Sequence, residues 1–84
     1  MRWAVTILPS AAKQLAKLDK AVGKRVGAAI TALGENPHPP GCKKLVGVDA
    51  WRIRVGDWRV TYQIHGEKLI VLIVRIGRRR EVYE

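Results

Sequence analysis

Three arginines in one short stretch carry the chemistry this chain can offer. Residues 51–64 read WRIRVGDWRVTYQI, and in it Arg52, Arg54 and Arg59 alternate with large apolar side chains. A guanidinium group is planar, permanently charged and forked, which suits it to bidentate contact with phosphate. Several such groups held together form a site for a phosphodiester backbone. If the site also acts on that backbone, fixed cations stabilise the charge that builds on the non-bridging oxygens during attack on phosphorus. Arginine itself is a poor proton acceptor, because it stays protonated in proteins. The residue types therefore point first to phosphate binding and only second to cleavage.

The positioning elements follow from the same stretch. Trp51, Ile53 and Val55 alternate with Arg52 and Arg54, and Trp58, Val60, Tyr62 and Ile64 alternate with Arg59, Thr61, Gln63 and His65. Strict period-two alternation marks half-buried strands. Gly56-Asp57 between the runs is a two-residue hairpin signal, with glycine supplying the positive φ of a type II′ turn. The implied register sets Val55 against Trp58, Arg54 against Arg59, Ile53 against Val60, Arg52 against Thr61, and Trp51 against Tyr62. One face of the hairpin is then apolar, with Trp51, Trp58 and Tyr62 as core residues, and the other carries the arginines. Arg54 and Arg59 are like charges directly opposite, a destabilising pair in a sheet. A small protein that keeps such a pair has a use for it.

The rest of the chain supplies the support. Residues 2–8 (RWAVTIL) read as a first strand that contributes Trp3 to the core. Pro9-Ser10 ends it and starts a helix, with Ser10 as a cap. Ala11, Leu15, Leu18 and Val22 recur at helical spacing, and Val26, Ile30 and Leu33 continue the stripe. Asp19 is a second N-cap, so two helices are expected. Gly23 and Gly27 weaken the second by about 1 kcal/mol each, which calls for a closely packed neighbour. Gly34 to Pro37 stops it. Residues 38–44 (HPPGCKK) read as a loop, residues 45–50 as a lead into the hairpin with a short strand, and Gly66-Glu67 as a turn. Residues 68–76 form a strand apolar on both faces, which suits a central strand. The order β-α-α-β-β-β gives an α+β domain over residues 1–84, with two N-terminal helices on one face of a small twisted, mainly antiparallel sheet. The arginine face is expected to be open, and curved by sheet twist into a basic concavity.

Length and charge bound the function. Eighty-four residues make one domain. Sixteen basic against seven acidic residues give a formal charge of +9, which favours nucleic acid, an anionic membrane surface or an acidic protein as partner. No apolar run is long enough to span a membrane. One cysteine, Cys42, and two histidines give no metal-ligand spacing, and no cofactor is implied. A lone cysteine and no secretory leader point to a reducing, cytoplasmic setting. Past the last strand lies GRRREVYE. Arg79 comes two residues after Gly77 and can turn back toward the arginine face, flanked by Arg78 and Arg80, and Tyr83 can bring a ring and a phenol there. Arginines that grip phosphate beside an aromatic that stacks on a base suit single-stranded RNA. His65 has the arginine-face parity but stands at the far end of its strand, as a turn-flanking residue. Glu81 is expected to pair with a neighbouring arginine.

The Leu45–Gly47 region, WRIRVGDWRVTYQI, the apolar strand and IGRRREVY together resemble the RelE group of the RelE/ParE toxin superfamily, over nearly the whole chain. The resemblance implies a microbial-ribonuclease-like fold, ribosome-dependent cleavage of mRNA in the A site, and an acidic RelB-like antitoxin that silences the toxin. It assigns catalytic roles to Arg52, Arg54, Arg59, Arg79 and Tyr83, and RNA contacts to Arg52, Arg54, Arg59, Arg78, Arg79 and Arg80. In well-known members the first two positions are lysines, one of them the general base. Here both are arginine, so the base is left unassigned. Related ParE toxins share the fold and act on DNA gyrase, the alternative this pattern leaves open.

Overall fold

A computed structural model describes residues 2–78. The elements are β1 (Ala4–Ile7), α1 (Pro9–Ala16), α2 (Lys20–Leu33), β2 (Lys43–Lys44), β3 (Trp51–Val55), β4 (Trp58–His65) and β5 (Ile70–Arg78). One five-stranded sheet has the order β1-β5-β4-β3-β2. β1 runs parallel to β5 and the remaining pairs are antiparallel. Both helices pack on one face, as the apolar stripe requires.

The hairpin has the register the alternation dictates, from Val55 opposite Trp58 to Trp51 opposite Tyr62. Gly56 has φ of 61° and Asp57 no positive φ, as a type II′ turn needs. Ile53, Val60 and Ile76 make one buried row on the helix side, and Tyr62 and Ile73 make the next. Val26, Ile30 and Leu33 of α2 close over them. The Tyr62 hydroxyl, fully buried, donates to the Pro37 carbonyl at 2.7 Å and ties the loop after α2 to the sheet. β5 is an interior strand, as its two apolar faces predict.

Several local expectations are corrected. Ser10 does not cap α1: the helix starts at Pro9, with Leu8 at the N-cap and no side-chain cap bond. Proline at the first helical position has its φ pre-set and lacks an N–H that would need a partner there. Asp19 does cap α2, accepting from the Val22 N–H at 2.9 Å. α2 runs unbroken through Gly23 and Gly27, yet neither serves a tight contact. A Cβ at Gly23 would meet Leu18 at an ordinary 3.8 Å, and one at Gly27 would meet nothing within 4 Å. The close approach is at Gly34, where a Cβ would lie 3.1 Å from both the Trp3 carbonyl and a Val5 methyl. The Trp3 N–H donates to the Gly34 carbonyl there, at 2.6 Å, so the end of α2 is fastened to β1. The short strand before the hairpin is Lys43–Lys44, inside the expected loop and not within residues 45–50.

β5 holds one feature the sequence did not announce. Its register against β4 shifts between Thr61 and Tyr62, with Thr61 opposite Arg75 and Tyr62 opposite Ile73. Val74 is the extra residue of a β-bulge. Without it, alternation from Ile73 would turn Arg75 and Gly77 toward the helices and Ile76 away from them. With it, Ile76 is buried in the core at 1% exposure, and Arg75 and Gly77 share the arginine face. β1 gives way to α1 before it can pair the last part of β5. Gln14 of α1 stands in for the missing strand, and its Oε1 accepts from the Ile76 N–H at 2.8 Å.

Candidate nucleic-acid interface

Cross-strand register resolves the arginine face into rows. One row runs Lys43, Arg52, Thr61, Arg75 across β2, β3, β4 and β5. The next, closer to the hairpin turn, runs Arg54, Arg59, Gly77. Arg52, Arg54 and Arg59 are thus brought together on adjacent strands, and Arg54 does face Arg59.

The expectation of an open face holds for Arg54, which is exposed. It fails for the inner two: Arg52 is 5% and Arg59 6% exposed, and Thr61 between β3 and β5 is 9% exposed. Alternation assigns a residue to a face but says nothing of depth. Arg52 lies between the side chains of Lys43 and Thr61, and Arg59 lies beside Gly77, which adds no side chain of its own to the row. Guanidinium groups buried this far need partners, and none of the three arginines is without one. The consequence is chemical. Buried arginines are held in place before a ligand arrives, and fixed cations are worth most where water is excluded.

Other candidates fall elsewhere. Arg78 sits opposite Trp58, on the helix side of the sheet, and its guanidinium lies 5.7 Å from the Trp58 ring centroid as a cation–π pair. It is therefore on the other side from Arg54 and Arg59. Arg79, Arg80, Glu81 and Tyr83 lie outside the described residues. His65 pairs with Gln63 at 3.0 Å and stands about 20 Å along β4 from Arg59, in keeping with a turn-flanking role. His38 packs edge-on against Trp51 at 4.7 Å, on the helix side. Lys43 and Arg75 share the arginine face, and sequence reasoning missed both. A two-residue strand has no alternation to read, and Arg75 reaches this face only through the bulge. Among the described residues no group of three His, Cys, Asp or Glu side chains is placed to hold a metal, and no helix is long and apolar enough to cross a membrane.

Comparison with known proteins gives this geometry a family. The model for the ParE toxin of the type II toxin–antitoxin system parDE matches residues 5–83. A RelE-like toxin protein of Escherichia coli is 33% identical over 81 residues, covering 94% of this chain and 85% of that protein. The archaeal RelE–RelB complex of Pyrococcus horikoshii OT3 superposes with a TM-score of 0.85 at 28% identity, covering 98% of this chain and all of that one. The RelBE2 toxin–antitoxin complex of Mycobacterium tuberculosis gives 0.82 at 26% identity, covering 94% and 100%. Fold and sequence define a toxin of a type II toxin–antitoxin system. Within that class the chain belongs to the RelE/ParE superfamily, as a RelE-type toxin.

Proposed function

We propose that this toxin is an endoribonuclease that cuts mRNA in the ribosomal A site. The observation that carries the reading is the clustering of Arg52, Arg54 and Arg59 on one face of the hairpin, two of them buried and two directly opposed. A phosphate with its negative oxygens between Arg54 and Arg59 would relieve their repulsion and gain from both. In the reaction the 2′-oxygen attacks the adjacent phosphorus, its proton passes to a base, and the bond from phosphorus to the 5′-oxygen breaks. The leaving oxygen takes up a proton, and the products are a 2′,3′-cyclic phosphate and a 5′-hydroxyl end. Guanidinium groups neutralise the phosphorane-like charge. Arg79 and Tyr83 complete this proposal at the chain end, Arg79 on the phosphate and Tyr83 on a base or on the leaving oxygen.

Arginine at both hairpin positions supplies no ready base, so the acceptor of the 2′-oxygen's proton is left unassigned. No motif of the chain positions that oxygen in line, so the ribosome is assigned that task. Free RNA is accordingly a poor substrate. The proposed partner is an acidic RelB-like antitoxin, supported by the RelE–RelB and RelBE2 complexes among the structural matches and by the +9 charge. An amphipathic segment of it would lie on apolar helix surface, with fast, salt-sensitive association. Such a protein would work in the cytoplasm, where translating ribosomes are. The matching family model is named for parDE toxins, which keeps a gyrase-directed reading as the second choice. Primer extension on translating ribosomes given purified toxin separates the two. Breaks within A-site codons support the nuclease, whereas intact mRNA with inhibited supercoiling supports the alternative.

A further inference from the structure

The row that crosses the arginine face does not end at the buried pair. Lys43 lies opposite Arg52 at one end and Arg75 opposite Thr61 at the other. Both are exposed, in contrast to the 5% and 9% exposure of the residues between them. Neighbouring strands are about 4.8 Å apart, so the Cα atoms of Lys43 and Arg75 are separated by about 14 Å across three inter-strand steps. Side chains that stand off the sheet keep that spacing, which sets the two charges at different phosphates of one strand.

We propose that Lys43 and Arg75 are the two ends of a phosphate track for single-stranded RNA, which runs across the strands and passes the Arg54–Arg59 pair along one side. The proposal rests on the RNA-cleaving reading above and names where the substrate's backbone lies. Three observations carry it. Register places the two side chains on one face and in one line with Arg52. The bulge at Val74 is what turns Arg75 to that face, and bulges of this kind re-aim a side chain near a functional site. The division of burial matches the division of labour: buried Arg52 and Arg59 are fixed for the reacting phosphate, and long solvated cations at the ends adapt to the flanking ones. Neither end residue is placed in the reaction itself. Loss of both should weaken RNA binding through charge and leave the chemistry at a bound phosphate intact.

The test uses a labelled single-stranded RNA with a 2′-O-methyl group at every position, so that it cannot be cut. Its affinity is measured by anisotropy from 50 to 200 mM KCl for the wild type, for Lys43→Gln/Arg75→Gln, and for a control, Lys17→Gln/Lys24→Gln, which removes the same charge from the helices. Each phosphate contact on a single strand contributes about 0.7 to the slope of log affinity against log salt. The row variant should therefore lose about 1.4 from the slope, so that the fourfold rise in salt weakens it about sevenfold less than the wild type. The control should keep the wild-type slope, and Lys43→Arg/Arg75→Lys should restore it. A row variant with an unchanged slope overturns the proposal, as does a control that flattens equally. It is also overturned if the row variant loses affinity for an acidic antitoxin peptide while its RNA slope stands. Ribosome-dependent cleavage is measured separately. A wild type that cuts mRNA beside a row variant with an unchanged slope removes the track and leaves the nuclease. A wild type that does not cut removes the nuclease reading, whatever the slopes.

Discussion

Arg54 and Arg59 face each other across the hairpin, yet the same substitution in each should have unequal effects on stability. Arg54→Thr removes one of two opposed like charges from an exposed position and leaves a good strand residue. Relief of a cross-strand like-charge pair is worth at most about 1 kcal/mol, and screening reduces it further as salt rises. Arg54→Thr should therefore melt close to the wild-type temperature, relief of the repulsion offsetting loss of the exposed contact that Arg54 makes. Arg59→Thr relieves the same repulsion but empties a site only 6% exposed. The Thr methyl replaces one of the two methylenes lost beyond Cβ, so buried stem worth about 0.8 kcal/mol goes, and Gly77 opposite has no side chain to move into the space. The contact Arg59 makes is lost as well, at about 1–3 kcal/mol. The net result is a loss of roughly 1–3 kcal/mol, or a fall of several degrees or more at about 4–8 °C per kcal/mol for a domain of this size. Both variants should lose on the order of 100- to 1000-fold in ribosome-dependent cleavage, the usual cost of one preorganised donor to transition-state charge. The assays are a thermal melt at two salt concentrations and a cleavage rate corrected for folded fraction. The reasoning is refuted if Arg54→Thr melts well below the wild type, or if folded Arg54→Thr cuts at the wild-type rate.

Three further outcomes follow from other contacts. Tyr62→Phe leaves the Pro37 carbonyl without its 2.7 Å donor and should cost about 1–3 kcal/mol in a denaturant melt. Burial pushes the Tyr62 phenol well above the ordinary tyrosine range, with Cys42 adding to the shift. The protonated phenol is thus favoured in the fold, and its contribution is complete below about pH 10 and is lost as pH rises above that. Subtracting the Tyr62→Phe stability profile from the wild-type profile should show a decline confined to the alkaline side, and a flat difference there would contradict this. Gln14→Leu orphans the Ile76 N–H and should destabilise by about 1–3 kcal/mol, with hydrogen exchange at Ile76 speeding up more than at Val60. Arg78→Gln breaks the contact with Trp58, which should cost about 0.5–1 kcal/mol, while cleavage stays within a few-fold of wild type because Arg78 lies on the helix side.

What the sequence disclosed and what it hid divide along a physical line. The hairpin was legible pair by pair because two local rules over-determine it: period-two alternation fixes the faces, and the turn fixes the register. Asp19 was legible as a cap for the same reason, since its partner is three residues away. Ser10 misled because Pro9, just before it, offers a competing start whose preset φ prevailed. The remaining misses are relations between distant parts of the chain. Residues 70–74 read IVLIV, with no polar residue to mark parity, so a bulge inside the run leaves no trace in the pattern. That one inserted residue decides whether Arg75 and Gly77 face the helices or the arginines. Lys43 is likewise invisible until β3 exists for it to pair with. That glycine rather than a side chain lies opposite Arg59 is also a consequence of the bulge. Local alternation thus places Arg52, Arg54 and Arg59 on one face with their like-charge conflict, whereas the reach of the proposed site across the sheet is set by pairings that no short window of sequence contains.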